Sequence, residues 1–326
     1  MLNRRPTLRD LFADDPMARI VSPSAPADAD LGAELTEAPP PAEDAPLAEG
    51  GTFDAKPVPV LEPGFTHFVD GAQRSWRAMF HGMYPVTLAH TSAALLRRMD
   101  RQVEPPSASN YRGGLEAYVP AVEGLAEKLR QIAPTASIPV AEDDTGLAIA
   151  LRMKKEIEAK RKEREMELCE GFRDGRLLVD GGLGEVMERV DEETELVGLV
   201  KSHQRQYFKS RDRQLTILNL KEGERTAMFV RESTGRQGKA CYSFYLKLRE
   251  GQGQGPLFGL ARVEVPATER NLRQADAIAG WILAERAPLS LPDPRFHVLL
   301  YPIHLVEEHL KARQPSEAAI RGLLGI

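Results

Sequence analysis

Short alternating runs and longer runs at helical spacing divide this chain. Phe65-Thr66-His67-Phe68-Val69 alternates and leads into Asp70-Gly71, the pattern of a strand that ends in a turn. Ser75 to Phe80 and Tyr84 to His90 read as two more strands joined by His81-Gly82-Met83, so an antiparallel meander is expected here. Leu115 to Ile132 repeats apolar residues at helical spacing. Leu147 to Phe172 is the longest predicted helix, with Glu interleaved among Lys and Arg. Leu177-Leu178-Val179 reads as a buried strand that stops at Asp180-Gly181. Further strands are predicted over Glu195–Val200, Ala227–Arg231, Ala240–Leu248, Leu257–Val265 and His297–Leu300. Thr268–Arg286, Ile303–Ala312 and Ser316–Leu324 read as helices. Strands mixed with helices in this way predict an α/β or α+β domain without internal repeats.

Residues 21–63 break the pattern. They are rich in Pro and Ala, and between Val21 and Ala55 carry eight acidic residues and no Lys or Arg. Such a segment buries too little apolar surface to offset its backbone entropy, which predicts a disordered tether. A short amphipathic piece, Leu8 to Ile20, precedes it. The expected division is therefore a tail over 1–63 and one folded domain over 64–326. The formal net charge of −5 is misleading, because without those eight acids the rest of the chain carries +3. A nucleic-acid partner is then not excluded by charge.

With 326 residues, 42% of them hydrophobic, the chain can build a sizeable core. No run of about 18 or more apolar residues is present, and Met1 to Pro6 leads into charged residues, so a soluble, cytoplasmic protein is expected. Two cysteines, Cys169 and Cys241, supply neither a disulfide framework nor a four-ligand zinc site. Gly235 to Ala240 lacks the spacing and hydroxyl of a phosphate loop and reads as a hairpin loop. His304 and His309 lack the spacing of a zinc-protease helix. No G-x-S-x-G elbow occurs.

What remains is a pattern of acids. Asp70 and Asp180 each follow an apolar strand and precede glycine. If their strands are neighbours, the two carboxylates converge, and a divalent cation is the usual remedy for their repulsion. Glu163, flanked by Ala159 and Met166, is the third candidate, with Glu167 one turn on as the rival register. A solvated helix face is the competing reading for all of Glu156, Glu163, Glu165, Glu167 and Glu170. Between Lys201 and Arg213, five cations face one acid. Lys201, Arg205 and Lys209 there are candidate phosphate contacts, and Tyr207 a candidate for base stacking.

The order Val69-Asp70-Gly71, Glu-bearing helix, Val179-Asp180-Gly181-Gly182-Leu183, Leu196 to Lys201, then Tyr301-Pro302-Ile303-His304-Leu305 and His309 resembles the NurA nuclease family. The resemblance covers about residues 65–325. It implies an RNase H-like mixed sheet flanked by helices, with β-rich additions, and a DNA end-processing nuclease that works with the HerA hexameric ATPase. Asp70 and Asp180 match the family's metal-binding aspartates and Glu163 its helical glutamate. Tyr301 and His309 match its C-terminal tyrosine and histidine. Gly71-Ala72-Gln73 departs from the small hydroxyl residue usual after Asp-Gly. Mn²⁺ or Mg²⁺ is the implied cofactor, with His309 as ligand or proton donor and Tyr301 positioning phosphate or water. DNA, a HerA-like ring and a second copy of the chain are the implied partners; a non-catalytic adaptor is the competing class. Leu8–Ile20 on its acidic tether, or the C-terminal helix, would dock the ring.

Overall fold

The computed structural model describes residues 6–21, 41–184, 186–190, 193–203, 205–231 and 239–326. The chain begins with a single helical turn, α1 (Leu8–Leu11), capped by Thr7, and two short strands, β1 (Ala18–Ile20) and β2 (Ala55–Pro57). A meander follows: β3 (His67–His81), β4 (Tyr84–Met99), the short β5 (Gln102–Glu104) and β6 (Tyr111–Pro120). Then come α2 (Leu125–Leu129), β7 (Thr135–Ile138) and the long α3 (Gly146–Cys169). β8 (Arg176–Asp180) and β9 (Glu195–Val200) return to the sheet, and α4 (Arg211–Leu218) leads to β10 (Glu224–Thr226) and β11 (Phe229–Arg231). β12 (Cys241–Lys247) and β13 (Leu260–Pro266) precede α5 (Glu269–Arg273), α6 (Ala275–Ala284), α7 (Tyr301–Lys311) and α8 (Glu317–Leu324).

All the described strands join one mixed sheet, whose main path is β2-β10-β12-β13-β9-β8-β3-β4-β6-β7. Its centre is decided by strand composition. Leu177, Leu178 and Val179 are all buried, and successive side chains of a strand point to opposite faces, so both faces must be covered. Leu178 joins Phe68, Leu199, Ile278, Ile303 and Val306 beneath α6 and α7. Leu177 and Val179 join Val69, Leu168 and Cys169 beneath the end of α3. The sheet is thus sandwiched at its middle, with α3 on one side and α6 and α7 on the other.

The structure corrects several expectations about single elements. The expected strand over Phe65–Val69 does not turn at Asp70-Gly71. It runs on as part of β3 to His81, with Asp70 opposite Ala94 and Gly71 opposite Ala93. The turn falls instead at Gly82, whose φ of +58° suits glycine. Leu115–Ile132 is not one helix. It divides into the second half of β6 and the short α2, because Ala117 and Val119 alternate into the core while β6 pairs with β4, and Pro120 ends the strand. Thr268–Arg286 divides into α5 and α6. His297–Leu300 is no strand: only Leu300 bridges, to Arg286. Of the expected loop Gly235–Ala240, residues 235–238 lie outside the described residues.

The N-terminal region departs furthest. Residues 41–63 are laid on the fold where disorder is expected; 22–40 lie outside the described residues. β2 pairs with β10, Leu47 bridges to Phe229, and Phe53 packs on Phe208. Arg225, itself buried, holds the Glu49 carboxylate through two 2.8 Å hydrogen bonds. The burial of that charge is thereby compensated, which composition alone does not reveal. The Leu8–Ile20 piece is not a free docking element either. Leu8 and Phe12 are buried with Trp76, Leu88, Ile320 and Leu324, and β1 pairs with β3. Phe12→Ala should therefore lower the unfolding free energy by about 3–5 kcal/mol, as for other buried phenylalanines, in urea melts followed by circular dichroism. A change below about 0.5 kcal/mol, the surface value, would mean that this segment is not part of the core.

Candidate metal centre

The centre is created by strand register. β3 and β8 run parallel, with Phe68 beside Leu178 and Val69 beside Val179. Their pairing ends there, so Asp70 and Asp180 stand at neighbouring positions just where the strands part. β8 stops because Gly181 turns the chain at φ +124°, its N–H donating to the Leu199 carbonyl at 2.8 Å. Asp70 is only 7% exposed.

Two helices bring further acids. Glu307 projects from α7, and one oxygen each from Asp70, Asp180 and Glu307 lie within 4.8 Å of one another. That is a little over twice a metal–oxygen bond of about 2.1 Å, so small adjustments would let the three oxygens share one cation. From α3, Glu165 reaches the strand at Gly71, where a Cβ would overlap its carboxylate. The glycine after Asp70 is therefore needed for close approach of a helix side chain rather than for a turn.

Charges within the cluster are partly balanced. Lys201 Nζ lies 2.7 Å from Asp180 Oδ1, Arg161 pairs with Glu165, and Arg295 Nη2 lies 2.6 Å from Glu307 Oε2. Burial first, then the charges of Asp180 and Glu165, push the Asp70 carboxyl well above the usual carboxylate range. Burial likewise raises Glu165, although Arg161 opposes it. The acids open onto a cleft of about 1030 Å³ whose rim includes Arg74, Arg161, Lys201, Arg295 and Lys311. Three hard oxygen donors suit Mg²⁺ or Mn²⁺ and give no reason to expect a thiophilic metal.

Of the acids singled out in the sequence, Asp70 and Asp180 come together and Glu163 does not. Glu163 lies on the other side of α3, paired with Lys160 at 2.6 Å, its side chain 44% exposed. Its rival Glu167 faces Arg112 at 3.6 Å. The flanking residues misled, since Ala159 is exposed and Met166 only half buried. The buried stripe runs through Met153, Ile157 and Leu168, and Glu165 lies on it. Glu307 was missed for a related reason. It lies four residues after Ile303 and three before Leu310, both buried, so an acid bordering the apolar face of α7 was the available signal.

Tyr301 is the first residue of α7, 43% exposed and stacked on His304. His309 does not join the acids within reach of one cation among the described residues; a second such group consists of Asp293, His304 and Glu307. The basic segment also reads differently. Tyr207 is no stacking platform: it is 9% exposed, packed against Phe229 and beneath the Arg262 guanidinium. Arg205 and Lys209 are exposed, whereas Lys201 is engaged with Asp180. Arg211 and Arg213 belong to α4, which the sequence reading did not anticipate.

No family model matches this chain, and no curated protein matches it in sequence. Among the described residues, no helix is long and apolar enough to cross a membrane.

The raised Asp70 carboxyl has a consequence for stability. In the interval between the ordinary carboxylate value of about 4 and the raised value, the folded protein keeps a proton that the unfolded chain has lost. Stability of the metal-free protein should therefore fall as pH rises through that interval. Asp70→Asn, which cannot ionise, should flatten the fall in thermal melts run from about pH 4 upward with chelator present. Parallel curves for the two proteins would disprove it.

Proposed function

We propose that this protein is a divalent-metal-dependent DNA nuclease of the NurA type, acting on single strands or DNA ends. The observation that carries the reading is the convergence of Asp70, Asp180 and Glu307 at the point where two parallel strands separate. Hydrolysis of a phosphodiester builds charge on the attacking and leaving oxygens, and cations held by such carboxylates stabilise it. The sheet lends support. An antiparallel meander β3-β4-β6, a long helix, then β8 and β9 parallel to β3, in the order β6-β4-β3-β8-β9, is the arrangement an RNase H-like domain requires. Glu165, not Glu163, is the residue of α3 that approaches the aspartates in this reading. Tyr301 and His309 keep the roles the resemblance gives them only as a suggestion from sequence order, as do the HerA-like ring and the homodimer.

A second reading has a specific observation behind it. Lys201, Arg161 and Arg295 already neutralise acids of the cluster, as they would in an adaptor subunit that grips DNA or an ATPase and cleaves nothing. Cleavage of labelled single- and double-stranded DNA with Mn²⁺ separates the two. Asp70→Asn and Asp180→Asn should each reduce cleavage by more than the about 100-fold seen for outer-shell changes, while DNA binding survives. Glu165→Gln should be severe and Glu163→Gln mild. A wild-type protein that binds DNA but leaves it intact with either metal would favour the adaptor.

Exposed Arg205 and Lys209 are the candidate phosphate contacts of the basic segment. Replacing both by Ala should weaken single-strand binding irrespective of sequence and reduce the salt slope by about 0.7 per cation removed. An unchanged slope would make them solvated surface.

A further inference from the structure

One buried acid has no part in the cluster and yet touches the turn that carries it. Glu264 of β13 is 2% exposed, and its Oε2 accepts a 2.8 Å hydrogen bond from the Leu183 N–H. Leu183 closes the turn Gly181-Gly182-Leu183 that begins directly after Asp180. That turn is folded back tightly on the sheet. A Cβ at Gly182 would lie 3.2 Å from Glu264 Oε2, and one at Gly198 would lie 2.6 Å from the Gly181 carbonyl oxygen. Gly198 is itself the register partner of Glu264 on β9. Glycine, carbonyl and carboxylate therefore meet without a side chain between them.

The carboxylate is fixed in turn. Arg231 Nε approaches Glu264 Oε1 at 3.0 Å and Arg262 pairs with the same oxygen, leaving Oε2 for the Leu183 N–H. Arg262 is further held by the Ser243 hydroxyl at 3.2 Å. A carboxylate gripped by two buried guanidiniums cannot swing away from the turn, and a buried hydrogen bond to an ionised acceptor is stronger than a neutral one. Metal-binding carboxylates depend on such outer contacts for their orientation.

We propose that Glu264 is a positioning residue for Asp180: by anchoring the Leu183 N–H it fixes the turn that aims the Asp180 carboxylate at Asp70 and Glu307. The inference rests on the metal-centre reading for its effect on cation binding, but the anchoring itself does not. Glu264→Gln keeps an oxygen that can accept from Leu183, whereas Glu264→Met removes the acceptor. Gly182→Val crowds the carboxylate from the turn side while leaving Arg231 and Arg262 paired, and serves if Glu264→Met fails to fold.

Two measurements on the full chain test it. Amide hydrogen exchange at Leu183 should rise at least about tenfold above wild type in Glu264→Met or Gly182→Val, beyond any change in global stability, and much less in Glu264→Gln. Titration with Mn²⁺ alone, by calorimetry, should show affinity lowered about 10–100-fold in the same two variants and restored to within a few fold in Glu264→Gln. Unchanged Leu183 exchange overturns the anchor. Faster exchange with undiminished Mn²⁺ affinity overturns the positioning role. Equal loss in Glu264→Gln and Glu264→Met would reduce Glu264 to a counterion for the two arginines. A wild-type chain that takes up no Mn²⁺ overturns the metal-centre reading and the positioning role with it, while the exchange data still decide the anchor.

Discussion

Like charges forced together by strand register are the constraint around which this molecule is organised. Parallel pairing of Val69 with Val179 leaves Asp70 and Asp180 no choice but to emerge side by side. Two charges about 4 Å apart at an effective dielectric near 20 interact by about 4 kcal/mol, comparable to a large share of a domain's net stability. The structure answers by pushing the Asp70 carboxyl above the usual carboxylate range and by setting Lys201 against Asp180. Acids added from α3 and α7 each bring a cation of their own, Arg161 and Arg295. A cluster so assembled is tolerable at rest while keeping oxygens directed at one point.

Glycine makes the crowding feasible. Gly71 admits Glu165 to the strand, Gly181 ends β8 with a backbone angle other residues avoid, and Gly198 admits the returning turn. Each occupies a position where a Cβ would meet another group or where φ is positive. Core packing supplies the rigidity: β8 is buried on both faces, so the pair of aspartates stands on the best-supported part of the sheet.

Much of this is legible in the sequence. The strands Leu177–Val179 and Glu195–Val200 announce themselves as short apolar runs, Ala240–Leu248 and Leu257–Val265 as apolar stretches broken by single polar residues, and Asp70 and Asp180 because each is an acid that follows apolar strand residues and precedes a glycine. Acids on helices were harder. Glu163, Glu165 and Glu167 share a run in which every few residues are charged, and only the position of the buried stripe distinguishes them. Leu115–Ile132 satisfies helical spacing and alternation at once; pairing with β4 decided for a strand, and Pro120 was the overlooked sign. Tyr207 and the acidic stretch from 41 to 63 fail differently. Both are covered by partners distant in sequence, Phe229 and Arg262 for one and Arg225 and β10 for the other, which local composition cannot register.

The counterions bear on what the cleft can accept. A carboxylate has about four lone-pair sites, so a guanidinium spanning both oxygens of Glu307 leaves capacity for a cation on the opposite side. Arg295 does span both, at 3.1 and 2.6 Å, while Lys201 engages only Oδ1 of Asp180. Internal neutralisation and metal ligation are therefore compatible. The cleft lining holds three acids, Asp70, Asp180 and Glu307, against five cations, Arg74, Arg161, Lys201, Arg295 and Lys311. Three of those cations also face acids just outside the lining, Arg161 with Glu165, Arg295 with Asp293 and Lys311 with Glu308, so the charges are closely balanced and a divalent ion bound there would tip the balance positive. A small neutral ligand gains nothing from such a field, whereas a polyanion would be attracted once the ion is bound, and this is why the proposed nuclease reading takes a phosphodiester chain as its substrate. On the proposed nuclease reading, discrimination among the esters that carboxylate-bound metals can hydrolyse would lie in the arrangement of the bound ion and the lining cations, more than in any single residue.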